Sequence, residues 1–130
     1  MAAIKKVFAS ETTIFTSATI STAAATITYS SAIDLVTNGY EGSQVVADIT
    51  WNSSGASQME IGFYGSIDST NWDDTPVFSQ AVSVSTGSTE QLSFLVKDLA
   101  YVRVGLNVST NDDNAPSVQV RERSWNWESS

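Results

Sequence analysis

The sequence contains no cysteine and no histidine in 130 residues. Without cysteine there is no disulfide, no thiol nucleophile and no zinc–thiolate site. Without histidine the commonest general base and metal ligand is missing, and a Ser-His-Asp triad cannot be assembled. Carboxylates could still support glycoside hydrolysis, but that chemistry needs two of them facing each other across a cleft. Asp73 and Asp74 are adjacent and would point to opposite sides of a strand, and nothing else in the sequence pairs carboxylates across a groove. No catalytic residue is assigned, no cofactor is expected, and the expectation is a non-enzymatic protein. Basic residues are also scarce, with 6 Lys and Arg against 14 Asp and Glu and a formal charge of −8. Such a surface repels phosphate backbones and anionic lipids, so neither nucleic acid nor a membrane is an expected partner. No stretch approaches the roughly 18 apolar residues of a membrane helix. In "MAAIKKVFASETTIFTSATI" Ser, Glu and Thr interrupt every apolar run, unlike a signal peptide. The initiating Met suggests a native start, and a soluble protein made in the cytoplasm is the expectation.

What the sequence does have is a hydrophobic fraction of 42%, enough for a core, in a length that suits one domain. Helical periodicity is nearly absent. β-Branched residues and alternation run almost end to end, punctuated by Gly, Asn, Ser and Asp. About eight strands can be read. In "QVVADITWN", Val45, Ala47, Ile49 and Trp51 share a face. In "MEIGFYGSI", Met59, Ile61, Phe63 and Ile67 share one, with Glu60 and Tyr64 opposite. Phe78, Val82 and Val84 align, as do Leu92, Phe94 and Val96, then Val102, Val104, Leu106 and Val108. Turns are expected at Asn38-Gly39, at "NSSG" (52–55), at "STGST" (85–89) and in the polar loop "STNDDNAP" (109–116). Both prolines, Pro76 and Pro116, fall at strand entrances, where a missing N–H does least harm. Strands that each bury one face predict an all-β fold, an antiparallel β-sandwich.

Residues 1–32 stand apart from the body at 33–130. The stretch 9–32 is dominated by Ala, Ser and Thr, with Ile14, Ile20 and Ile27 spaced among them. It reads either as edge strands with a small-residue face or as an arm that becomes ordered on a neighbouring subunit, within a single domain overall.

Three clusters are candidate sites. The segment "GSIDSTNWDD" (65–74) carries Asp68, Asn71, Asp73 and Asp74 around Trp72. A helix-flanked calcium loop needs oxygen ligands at alternate positions and a glycine sixth. Counting from Asp68, Trp72 is fifth and Asp73 sixth, so that pattern fails. A looser β-sandwich calcium site on Asp68, Asn71, Asp73 and Asp74 is the metal alternative. The other reading is a polar loop in which Asp68 accepts from backbone amides and Trp72 packs onto the sandwich. The second acidic loop, "NDDN" (111–114), could join a shared cation site if both loops lie at one end of the sandwich. In the tail "RERSWNW", Arg121, Arg123, Trp125 and Trp127 face one way on an extended chain, opposite Glu122, Ser124 and Asn126. They either cap the core or form a contact surface, since Trp and Arg are enriched in interface hot spots. Trp125 or Trp127, with Trp72, could alternatively stack on sugars.

The pattern formed by Gly65, Ser66, Asp68 and Trp72 resembles a loop that recurs in jelly-roll proteins, in discoidin-like ligand-binding domains and in small phage structural proteins. Those families often carry glycine directly after the aspartate, where this chain has Ser69. In overall texture the chain is similar to small tailed-phage virion proteins of the capsid decoration type. That resemblance implies a jelly-roll-like sandwich located in the virion and assembled in the host cytoplasm. It also implies docking on the major capsid protein or other virion subunits, often as a homo-oligomer, with a trimer favoured. The contact would use Arg121, Arg123, Trp125, Trp127 and Trp72. A carbohydrate-binding or discoidin-like module using exposed tryptophans is the alternative.

Overall fold

The computed structural model describes residues 4–17, 20, 26–51, 58–83, 89–108 and 116–129. Among the described residues ten strands run in chain order: β1 (Ile4–Phe8), β2 (Thr12–Ser17), β3 (Thr28–Tyr29), β4 (Ile33–Asp34), β5 (Gly42–Thr50), β6 (Gln58–Ser66), β7 (Phe78–Ser83), β8 (Thr89–Lys97), β9 (Tyr101–Val108) and β10 (Ser117–Ser129). There is no helix among the described residues. The first sheet has the order β1-β10-β5-β8 with β2 also on β10, and the second has β3-β9-β6-β7 with β4 also on β9. Every pairing is antiparallel.

The two short-strand pairs explain why ten strands occupy eight positions. β1 and β2 lie end to end along one edge of β10, as β3 and β4 do along β9. Between Phe8↔Trp125 and Thr12↔Glu122 the chain advances four residues while β10 advances three. Between Tyr29↔Gly105 and Ile33↔Val102 the same four face three. One surplus residue per position is a bulge, which interrupts the ladder and bends the strand. At the second break Ser30 replaces the missing pairing: its N–H donates to the Val104 carbonyl, and its hydroxyl accepts from the Val104 N–H at 2.9 Å. With each broken pair counted once, four positions per sheet alternate in the double Greek-key order of a jelly roll. The sandwich read from the sequence is thus observed.

The core lies between the sheets. Val45, Ala47 and Ile49 on β5, with Trp51 just beyond it, meet Met59, Ile61 and Phe63 on β6 and Val102, Val104, Leu106 and Val108 on β9. Val118 and Val120 on β10 and Phe94 and Val96 on β8 complete it. From the Ala/Ser/Thr-rich segment, Ile14 and Ile20 are also buried in this core. Asn38-Gly39 forms the expected turn, with Gly39 in the left-handed region at φ 64° and its N–H on the Val36 carbonyl. The expectations for 52–55, Val84, 85–88 and 109–115 lie outside the described residues.

Two assignments on β6 differ from the sequence reading. Ile67 was expected to share the inward face, but β6 ends at Ser66 and Ile67 is 90% exposed in the loop. Tyr64 was expected on a solvent face, yet it is only 5% exposed. The reason is a cross-strand glycine pair, Gly62↔Gly105, on the outer face of the second sheet. A Cβ on Gly105 would lie 2.6 Å from Tyr64 Cε2, and one on Gly62 would lie 2.9 Å from it. The phenol ring therefore lies in the trough that the missing side chains leave. Tyr29 closes over it edge-on at 5.3 Å. Burial pushes the Tyr64 phenol above its ordinary pKa, with a smaller contribution from Tyr29.

Candidate functional site

The sequence-predicted residues separate onto opposite sides of the sandwich. Trp72 is half-buried on the outer side of the second sheet, its ring 4.5 Å from the Arg103 guanidinium carbon. The same guanidinium stands 3.7 Å from the centroid of Tyr29, so Arg103 bridges the two rings. This cation–π stack pins the 67–77 connection to β9 and extends the Tyr64 cluster. Trp72 thus packs onto the sandwich and does not join Trp125 and Trp127.

The loop ahead of Trp72 is built around one carboxylate. Asp68 Oδ1 accepts from the Thr70 and Asn71 N–H groups at 2.9 and 2.8 Å, and Oδ2 accepts from Asn71 Nδ2 at 2.9 Å. Ser66 Oγ accepts from the Ser69 N–H and sits 3.1 Å from Asp68 Oδ1. The backbone donors of Asn71 and Thr70, then the Asn71 amide, hold the Asp68 carboxyl well below the usual carboxylate range. Both oxygens are committed to the loop itself. Among the described residues no group of three or more His, Cys, Asp or Glu could hold a metal ion. Asp73 sits apart from this network, its N–H donating to the Gly65 carbonyl at 3.0 Å. The loop "NDDN" lies outside the described residues.

Two predictions arise here. Ser69 adopts φ 60°, the left-handed region, at the position where the similar families often carry glycine. Ser69→Gly removes a Cβ clash worth about 1–2 kcal/mol and adds unfolded-chain entropy worth about 0.4–1 kcal/mol. A net gain of roughly 0.5–1 kcal/mol is expected in urea unfolding; a loss of stability would contradict the strain. The second concerns acid. A carboxyl with a depressed folded pKa stabilises the fold above its unfolded pKa, about 3.9, and the contribution is lost as pH falls through the folded value. The stability gap between wild type and Asp68→Ala should be constant from neutral pH down to about 4 and close below that. A gap that persists unchanged at pH 2 would show that the carboxylate charge is not what orders the loop.

The tail residues lie on the other sheet. Along β10, Arg121, Arg123, Trp125 and Trp127 occupy the outer face, while Val118 and Val120 point into the core and Ser124 is buried. Two residues not singled out in the sequence join them from β1. Lys6 pairs with Trp127 and Phe8 with Trp125. The Lys6 ammonium stands 4.2 Å from the Trp125 ring centroid, 5.4 Å from that of Trp127 and 6.0 Å from that of Phe8. The two indoles meet edge-on at 5.7 Å. Trp125 also lies against Gly42 of β5, where a Cβ would stand 3.0 Å from the ring. Lys97 enters from β8, paired with Gly42, and the 78% exposed Leu95 pairs with Gln44.

Charge separates across this face. Arg121 is neutralised by Asp48 at 2.8 Å and Glu11 at 3.5 Å. Arg123 donates from Nε to the Ala9 carbonyl and stacks 5.4 Å from Phe8. An open depression of about 200 Å³ lies over Val46, flanked by Glu11, Gln44, Gln91, Arg121, Glu122 and Arg123. Four of the six basic residues (Lys6, Lys97, Arg121 and Arg123) reach this one face of a chain whose net charge is −8. Beside them Trp127 is 51% and Phe8 37% exposed. Such a patch can bind by stacking, apolar burial and charge. Of the carboxylates beside it, Asp48 and Glu11 are paired with Arg121, Asp98 lies 3.9 Å from the Lys97 ammonium, and Glu122 accepts from the Ser43 and Ser124 hydroxyls.

No family model matches the sequence, and no curated protein matches it. Among solved structures, the chain is similar to part of dimeric latent PorU from Porphyromonas gingivalis, with a TM-score of 0.51 and 12% identity over 96% of this chain and 13% of that one. A CBM4 structure, a carbohydrate-binding module, is similar with a TM-score of 0.41 and 13% identity over 78% of this chain and 61% of that one. The chain therefore spans about an eighth of the first and under two thirds of the second. At these identities the likeness to PorU is one of fold, a β-sandwich.

Proposed function

We propose that the chain is a non-enzymatic structural protein of a virion, a capsid decoration subunit that binds the outer capsid surface through the outer face of the first sheet. The observation that supports this most is the gathering of Lys6, Arg123, Phe8, Trp125 and Trp127 on one open sheet face of an otherwise acidic molecule. Trp and Arg are enriched among the residues that carry most of the energy of protein interfaces, and a basic patch on an acidic body orients the approach to an acidic partner. A major capsid protein with an acidic, partly apolar outer surface is the partner that this chemistry fits. Oligomerisation, with a trimer favoured, would multiply weak contacts through avidity.

The experiment is co-sedimentation of the purified protein with undecorated capsids of the phage whose genome encodes it. Trp127→Ala should weaken binding at least tenfold, about 1.4 kcal/mol, and leave the melting temperature near wild type because the ring is half exposed. No sedimentation of the wild type, or full binding by the variant, would sink the proposal. Portal, protease and capsid genes beside its own would support it.

A carbohydrate-binding or discoidin-like module is the second reading. It is favoured by the exposed Trp127 and by the polar depression beside Arg123. It is weakened by Lys6 over Trp125, since the ammonium occupies ring surface on which a pyranose would stack. A glycan array with Trp127→Ala separates the two readings: glycan binding abolished by the substitution would favour the module.

A further inference from the structure

We propose that β1 is an exchangeable strand, and that in the assembled protein it lies on β10 of a second copy of this chain. The inference stands on strand pairing and burial, independently of what the outer face of the sheet docks to.

β1 belongs to the sheet without belonging to the core. None of its five residues is buried; only Val7 is half-buried, and none is part of the core cluster. Ile4 is 73% exposed. The pairing of β10 with β5 ends at Trp125↔Gly42, so Asn126 to Ser129 have β1 as their only strand neighbour among the described residues. Past the end of β5, β1 and the end of β10 continue as a two-stranded ribbon, with Asn38 and Tyr40 beside the face that carries Val7 and Asn126. Isolated two-stranded ribbons are marginal in water and need further cover.

The slot on β10 is nevertheless specific for this strand. Lys6 sits on Trp125 and Trp127, Phe8 lies beside Arg123, and Lys5 pairs in register with Glu128. An identical strand is carried by every copy of the chain. The chemistry that recognises β1 in its own molecule therefore recognises it equally in a neighbour, which is the basis of strand exchange. The connection is suited to redirection, because residues 9–11 form the bulge between β1 and β2. There the Ala9 N–H reaches the Ser124 carbonyl while Ser10 and Glu11 are exposed. In the exchanged assembly Lys6 and Phe8 come from one copy and Trp125 and Trp127 from another, so the aromatic patch is completed only between subunits.

The absence of cysteine makes the test clean. Val7 and Asn126 are cross-strand partners. Val7→Cys and Asn126→Cys variants, mixed, partly unfolded, refolded together at high concentration and oxidised, should form a mixed disulfide dimer several-fold more abundantly than either variant alone. The double variant should give linked multimers on non-reducing gels. A double variant that closes only within single chains, together with a mixture that links no better than its components, overturns the proposal. Light scattering on the unaltered protein guards against variants that fail to fold. A monomer at every concentration overturns exchange, while a multimer that reverts to monomer on deletion of residues 1–8 supports it.

Discussion

Phe63→Ala should cost about 3–5 kcal/mol, the range for emptying a fully buried aromatic site. Phe63 is 0% exposed and stands at the centre of an aromatic group that ties both sheets together. Phe78 of β7 stacks on it at 4.5 Å, and Phe94 of β8, in the opposite sheet, meets it at 5.0 Å. Truncation removes the ring area and leaves a cavity that neither neighbour can fill from its own backbone. Domains have a total stability of about 5–15 kcal/mol, so this one change consumes a large share. The measurement is the urea midpoint at constant slope. Phe78→Ala is the internal comparison: its ring is 40% exposed at the sheet edge, and its loss should cost clearly less. Equal costs at the two positions would refute the placement of Phe63 as the bridge between sheets.

Gly105→Val should cost about 3 kcal/mol, the upper part of the overpacking range. The first added atom would stand 2.6 Å from Tyr64 Cε2, 3.0 Å from Ile27 Cγ2 and 3.1 Å from Tyr29 Cε1. Neither ring can retreat alone, because Tyr29 holds Tyr64 edge-on and Arg103 lies over Tyr29. The claim is one of coupling. In a Tyr64→Ala background the closest of these contacts is gone and the cost of Gly105→Val should fall by at least about 1 kcal/mol, an interaction energy within the range seen for residues in contact. Costs that simply add in the double variant would mean that the glycine serves the backbone and not the ring.

These two sites show what the sequence could and could not disclose. The inward faces of β5, β8 and β9 were legible because strict alternation reports burial on one side of a pleat. Tyr64 was misread because alternation assigns it outward, and outward means solvent only when nothing covers that face. Its burial depends on Gly62 and Gly105, which are far apart in sequence and become neighbours only through the register of β6 with β9. Ile67 was misplaced by one step of the same pattern, since the strand stops at Ser66 to let Asp68 organise the loop. In the tail, the shared face of Arg121, Arg123, Trp125 and Trp127 followed from period two alone. Lys6 and Phe8 were missed because their place beside the tryptophans is a property of β1 pairing with β10, which no local pattern encodes.

The place of β10 also has a consequence for how the molecule is made. β10 is the hub of the first sheet, pairing with β1, β2 and β5, all of which precede it by a long stretch of chain. Loop-closure entropy of that size delays native pairing, and folding rates fall as contacts become less local. During synthesis β1 and β2 emerge without their sheet partner and β5 can pair only with β8, so the sheet must wait for residues 117–129 before it can close. Folding should therefore be a single late event and not a progressive one, with the newborn chain most prone to aggregation just before β10 arrives.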